Sequence, residues 1–97
     1  MNTEVNNPGS ALRVSVVIPV YNGGADLDRC LAALYRSRYE AFECIVVDDA
    51  STDGRTAEIA ARHGARVIFL ERQGGPARAR NRGAREAVGD ILFFTDA

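Results

Sequence analysis

Four short apolar runs, each separated from the next by a stretch of helical periodicity, constrain this chain more than any other feature. Val14-Ser-Val-Val-Ile18 is β-branched and brief, as a buried strand is, and Pro19 is expected to close it. Ala25–Ser37 carries Leu27, Cys30, Leu31 and Leu34, an apolar stripe at helical spacing, after a Gly23-Gly24 turn. Phe42–Val47 reads as a second strand, ending in Asp48-Asp49. Ser51, Thr52 or Asp53 can cap a helix running to about His63, with Gly64 where a left-handed stop belongs. Arg66–Leu70 is a third strand. Pro76–Val88 is a third helix, opened by its proline, with Ala79, Gly83, Ala84 and Ala87 on a small face. Ile91–Phe94 is a fourth strand. The order β-α-β-α-β-α-β implies an α/β fold, a Rossmann-like parallel sheet of about four strands with right-handed crossovers and helices on both faces. Continuous rather than alternating apolar strands agree with a sheet covered on both sides. The length of 97 residues allows one domain.

Charge and cysteine content narrow the chemistry. All 12 basic residues are arginine, against 13 acids, for a net charge of -1. Without lysine there is no Schiff base and no Walker-type phosphate lysine. Near-neutral balance argues against nucleic acid as a partner. Cys30 and Cys44 sit within apolar patterns and are expected to be small buried thiols, not a disulfide framework. Met1–Ala11 is polar and expected to be a flexible tail, with no apolar segment of a signal peptide. No run approaches the roughly 20 residues that span a bilayer. The expectation is a soluble, cytoplasmic protein with no membrane segment in this chain.

In an open α/β sheet, ligands bind beyond the carboxyl ends of the strands. Four polar clusters fall there: Pro19-Val-Tyr-Asn22, Asp48-Asp49, Arg72-Gln-Gly-Gly75 and Thr95-Asp96. Carboxylates only accept hydrogen bonds, so Asp48-Asp49 suits the N–H edge of a base or ribose hydroxyls; capping of the following turn is the structural alternative. Arg78, Arg80, Arg82 and Arg85 crowd one helix. A solvated basic face would account for most of them, but alternate arginines diverge round a helix, so at least one should point back toward the strand ends. A guanidinium there suits a phosphate or carboxylate. No G-x-G-x-x-G follows the first strand, so a nicotinamide or flavin site is not expected. His63, the only histidine, has no partner near it in sequence and is expected to complement a helix end. Tyr35 and Tyr39 read as packing or surface residues.

Taken together the clusters are more specific than their parts. Val14-Ser-Val-Val-Ile-Pro-Val-Tyr-Asn22, Ile45-Val-Val-Asp-Asp-Ala-Ser-Thr-Asp53, Gly75-Pro-Ala-Arg-Ala-Arg-Asn-Arg-Gly83 and Gly89-Asp-Ile-Leu-Phe-Phe-Thr-Asp96, in this order and spacing, strongly resemble the N-terminal part of family 2 glycosyltransferases. That family comprises inverting enzymes of GT-A fold that use nucleotide-diphosphate sugars. The resemblance implies that residues 12–97 are the nucleotide-sugar-binding part of an incomplete glycosyltransferase domain, the N-terminal half of a GT-A fold. It implies that Pro19, Tyr21 and Asn22 flank the nucleobase, usually uracil. Asp49 matches the acid that contacts the base, Asp48 its neighbour, and Arg80 the basic residue near the diphosphate. Asp96 matches the first acid of the metal-binding D-x-D motif, so a divalent cation, Mg²⁺ or Mn²⁺, is implied in the full-length enzyme, with Asp96 as a ligand.

The chain departs from the pattern at Thr95-Asp96-Ala97, which stops before the second acid. The expectation is therefore a glycosyltransferase fragment that binds a nucleotide sugar, a UDP-sugar for preference, destined for inverting transfer to the hydroxyl of an unknown acceptor. No catalytic residue is assigned, and the isolated chain is expected to be inactive. The alternatives are a non-catalytic nucleotide-binding α/β module and another sugar-nucleotide enzyme, although Tyr21-Asn-Gly-Gly24 lacks the basic residues a nucleotidyltransferase would carry there. The resemblance also implies strand order 3-2-1-4, which leaves Ile91–Phe94 as an apolar edge open to homo-oligomer formation.

Overall fold

The computed structural model describes residues 12–37 and 42–97. The expected tail, Met1–Ala11, and Tyr39 lie outside them. Strand β1 (Val14–Val20) is paired in parallel with β2 (Phe42–Asp48) on one side and β4 (Ile91–Phe94) on the other, and β3 (Arg66–Phe69) pairs with β2. The sheet order is β3-β2-β1-β4. Helices α1 (Gly24–Tyr35), α2 (Thr56–His63) and α3 (Pro76–Glu86) make the crossovers.

The two central strands carry the core. Side chains alternate across the sheet, so β1 and β2 feed two separate clusters. Val16, Ile18, Val20, Cys44 and Val46 meet Leu27, Leu31 and Ile59 of α1 and α2 on one face. Val17, Ile45 and Val47 meet Ala79 of α3 on the other, with Ile68 and Leu70. Small residues let α3 lie close: a Cβ on Gly83 would stand 2.3 Å from Val17 Cγ1. The expectation of a sheet covered on both faces holds for β1 and β2 but not for β4, where Ile91, Leu92, Phe93 and Phe94 are all exposed.

Pro19 does not close β1, which continues to Val20. Val17 accepts from Thr95 N–H on the β4 side, so Pro19, two residues on, also faces that side. The β1–β4 register ends at Val17–Phe94, so the missing N–H of Pro19 breaks no ladder bond. Helix α2 starts later than the sequence suggests. The N–H groups of Ser51, Thr52 and Asp53 are taken by Asp48 and Asn22 side chains, which makes a turn of that segment. Gly64 ends α2 in the left-handed conformation at φ 76°, as expected.

The amino ends of the strands are tied by a polar knot. Buried Ser15 Oγ donates to Glu43 Oε2 at 2.5 Å and accepts from Gly89 N–H at 2.8 Å, while Val88 N–H donates to the same Glu43 oxygen at 2.8 Å. Burial pushes the Glu43 carboxyl upward, but the bonds from Ser15 and Val88, with Arg66 and Arg13 nearby, outweigh it and hold it below its usual value.

His63 is not simply a helix-end charge. Its Nε2 lies 2.7 Å from Asp28 Oδ1 on α1, and its ring stacks with Tyr35, centroids 6.3 Å apart. The bond from His63, with Arg62 beside it, holds the Asp28 carboxyl below its ordinary value. Thirty-five residues separate the pair, so no local sequence signal shows it. Of the cysteines, Cys44 is buried, and burial pushes its thiol up to about 12. Cys30 is only partly buried, because its side chain faces the end of β4, where Sγ donates to Asp96 O at 3.8 Å.

Candidate nucleotide site

A cleft of about 310 Å³ opens at the carboxyl ends of β1 and β2 and beside the end of β4. Pro19, Tyr21, Asn22, Asp49 and Asp96 line it, as do Asp26, Gln73, Gly75 and Pro76. Five of the seven residues expected from sequence thus share one opening. Arg80 stands beside it: its guanidinium reaches back from α3 to Asp96 Oδ1 at 3.5 Å. It is the arginine whose turn on the helix aims it at the strand ends, while Arg78, Asn81 and Arg85 are exposed.

The two adjacent acids part company. Asp48 is buried and turns away from this cleft; its Oδ1 accepts Ser51 N–H at 2.7 Å, closing a turn. It lines a different opening of about 460 Å³, with Ser51, Thr56, Phe69 and Glu71, near the start of α2. For Asp48 the capping alternative therefore describes its contacts. Asp49 is also buried, but its carboxylate faces the loop after β3, with Oδ1 accepting Gly74 N–H at 2.8 Å and Oδ2 accepting Gly75 N–H at 2.9 Å. A carboxylate has about four lone-pair positions, so two remain for a ligand. Gly75 meets Asp49 at φ 93°, a backbone that few other residues adopt.

The loop after β1 is tied to the loop after β2. Asn22, at φ 53°, directs its side chain onto Thr52 and Asp53. Tyr21, next to it, is 45% exposed. Gln73 belongs to the Arg72–Gly75 cluster expected at the strand ends, whereas Pro76 and Asp26 were missed as cleft walls. The Gly74-Gly75 pair at a strand end was the available signal for Pro76, whereas Asp26 sits in the first turn of α1 and pairs with Arg29.

Among the described residues no three His, Cys, Asp or Glu side chains converge on a point that could hold a metal ion. Asp96 offers one carboxylate, 78% exposed and facing Arg80. Hard divalent cations take six or more oxygens, so these residues do not by themselves make up a cation site.

The profile of glycosyl transferase family 2 matches residues 15–97. The chain belongs to that family. Glycosyltransferase GlyG of Streptococcus pneumoniae is 35% identical to it over 88 residues, covering 87% of this chain and 29% of GlyG. Among solved structures, TarS 1-349 of S. aureus in complex with UDP-GlcNAc superposes with a TM-score of 0.82 at 33% identity, over 88% of this chain and 26% of that one. The mannosyltransferase PcManGT of Pyrobaculum calidifontis, in complex with GDP-Man and Mn²⁺, gives 0.82 at 31% identity, over 92% and 28%. The chain therefore spans under a third of the length of these relatives. Its parallel four-stranded sheet with alternating helices is that of the GT-A glycosyltransferases. Among the described residues no helix is long and apolar enough to cross a membrane.

Proposed function

We propose that residues 12–97 form the nucleotide-binding part of a glycosyltransferase that uses a nucleotide-diphosphate sugar, a UDP-sugar for preference, and transfers the sugar with inversion to an acceptor hydroxyl. The observation that carries this reading is the gathering of Pro19, Tyr21, Asp49 and Asp96 round one opening, with Arg80 beside Asp96. In this reading Pro19 and Tyr21 flank the base. Asp49, an acceptor already fixed by two glycine N–H groups, takes the N–H of the base. Arg80 is placed for a phosphate oxygen. Asp96 supplies one ligand toward a divalent cation, which would steady the leaving diphosphate in the full-length enzyme. No described residue is assigned as acceptor contact or catalytic base, and in this reading the role of residues 12–97 is to bind the nucleotide. Two free cysteines fit a cytoplasmic setting. The outer edge of β4, unpaired among the described residues, fits association with a second copy.

Titration calorimetry of the chain with UDP and GDP, with and without Mn²⁺, tests the reading. Weak binding that favours UDP and gains little from Mn²⁺ is expected. Absence of binding by either nucleotide overturns the proposal, and a preference for GDP overturns the uridine assignment. Strong dependence on Mn²⁺ overturns the view that Asp96 alone is too few ligands.

A further inference from the structure

Asn22 lines the cleft, yet its polar atoms are committed elsewhere. Its main-chain N–H donates to Ser51 Oγ at 2.8 Å. Its Oδ1 accepts from Thr52 N–H at 2.7 Å and from Asp53 N–H at 3.1 Å, and Nδ2 donates to Thr52 Oγ1 at 3.3 Å. With two donors filling the carbonyl oxygen, little is left of Asn22 to meet a ligand. Its left-handed backbone, φ 53°, is one that asparagine tolerates better than most residues. The side chain of Tyr21, by contrast, makes no hydrogen bond among the described residues and projects half-exposed at the mouth. With no hydrogen bond of its own, the ring takes its direction from the backbone beside it, which Asn22 holds.

We infer that Asn22 is a positioning residue: it straps the loop after β1 to residues 51–53 and thereby sets the angle at which Tyr21 faces the cleft. The inference rests on reading that cleft as the nucleobase site. It replaces the direct contact to the nucleotide that the sequence implied for Asn22. Two variants bracket the side chain's part. Asn22→Gly permits the left-handed conformation and removes the side-chain bonds, whereas Asn22→Asp keeps an oxygen in the position of Oδ1.

The test uses the 97-residue chain, with uridine and UDP as probes in calorimetry, amide exchange at Thr52 and Asp53, and NMR of the Tyr21 ring. Uridine is neutral, so the charge added by Asn22→Asp does not repel it. Asn22→Gly is expected to speed exchange at both amides, abolish ring contacts between Tyr21 and the cleft, and weaken both probes about three- to tenfold. Asn22→Asp should hold uridine within about twofold of wild type. In a Tyr21→Ala background, Asn22→Gly should cost nothing further, because its effect runs through the ring. Additive losses in that cycle, or an unmoved Tyr21 ring in Asn22→Gly, overturn the positioning role. If wild type binds neither probe, the nucleotide reading falls instead, and amide exchange with the ring signals still decides the strap.

Discussion

Asp49 and Gly75 meet at 2.9 Å, a carboxylate oxygen on a main-chain N–H, across the gap between the loops after β2 and β3. The contact makes Asp49 a wall of the cleft and a fastener of its rim. In Asp49→Asn the new amide group must face one of two glycine donors. Loss of a charge-assisted hydrogen bond costs about 1.5–3 kcal/mol, or tenfold and more in affinity. UDP binding by Asp49→Asn should fall by at least that much in calorimetry. Asp48→Asn can still offer its oxygen to Ser51 and should lose far less. Equal small losses would remove Asp49 from the base site.

Gly83 gives a stability prediction whose sign is contrary to helix propensity. Alanine in place of glycine usually strengthens a helix by about 1 kcal/mol. Here the added methyl would lie 2.3 Å from Val17 Cγ1 and 3.1 Å from Val47 Cγ2, both on buried strands. Gly83→Ala should therefore destabilise by about 1–3 kcal/mol in urea unfolding. Pairing it with Val17→Ala should recover part of the loss. A stabilised Gly83→Ala would show that α3 can lift off the sheet at little cost.

Acid should loosen the amino-end knot. The Glu43 carboxyl is held below its ordinary value of 4.5 when folded, so the unfolded chain takes up its proton first as pH falls. The stability it contributes is complete above that ordinary value and is lost as pH drops through the lowered one. Asp28 and Glu86 are lowered too and slope the same way. Unfolding midpoints from pH 7 down to pH 3 should thus fall less steeply for Glu43→Gln than for wild type. Parallel curves would mean that Glu43 is not ionised in the knot.

Self-association through β4 is expected. Phe93 is 55% exposed and Phe94 41%, on a strand that pairs only with β1 among the described residues. An apolar edge with neither proline nor charge favours strand addition. Sedimentation should show concentration-dependent dimers in wild type and monomers in Phe93→Lys. A monomeric wild type would defeat this expectation.

The sheet was legible because its signals are local: β-branched runs, helical stripes, and the glycine and proline that bound α2 and α3. Asp49 and Arg80 were singled out by the resemblance to family 2 glycosyltransferases; their places on a strand end and a helix left Asp48 or Asp49, and any one of the arginines, open. What escaped depended on distance in space. Nothing near His63 points to Asp28, and nothing near Thr52 and Asp53 shows that Asn22 has claimed their N–H groups, with α2 starting only at Thr56. The divergence of Asp48 from Asp49 is similar. Adjacent residues on an extended segment face opposite ways, but which one meets the cleft is decided by the third loop, through Gly74 and Gly75.

The strap from Asn22 to residues 51–53 also bears on how such a domain can be recombined. Two loops that share hydrogen bonds are not independent cassettes. Replacing residues 20–24 with a loop that lacks an asparagine at position 22 would strand the amides of Thr52 and Asp53, and replacing 50–55 with a loop of another shape would strand Asn22. The two loops would therefore travel between family members as a matched pair.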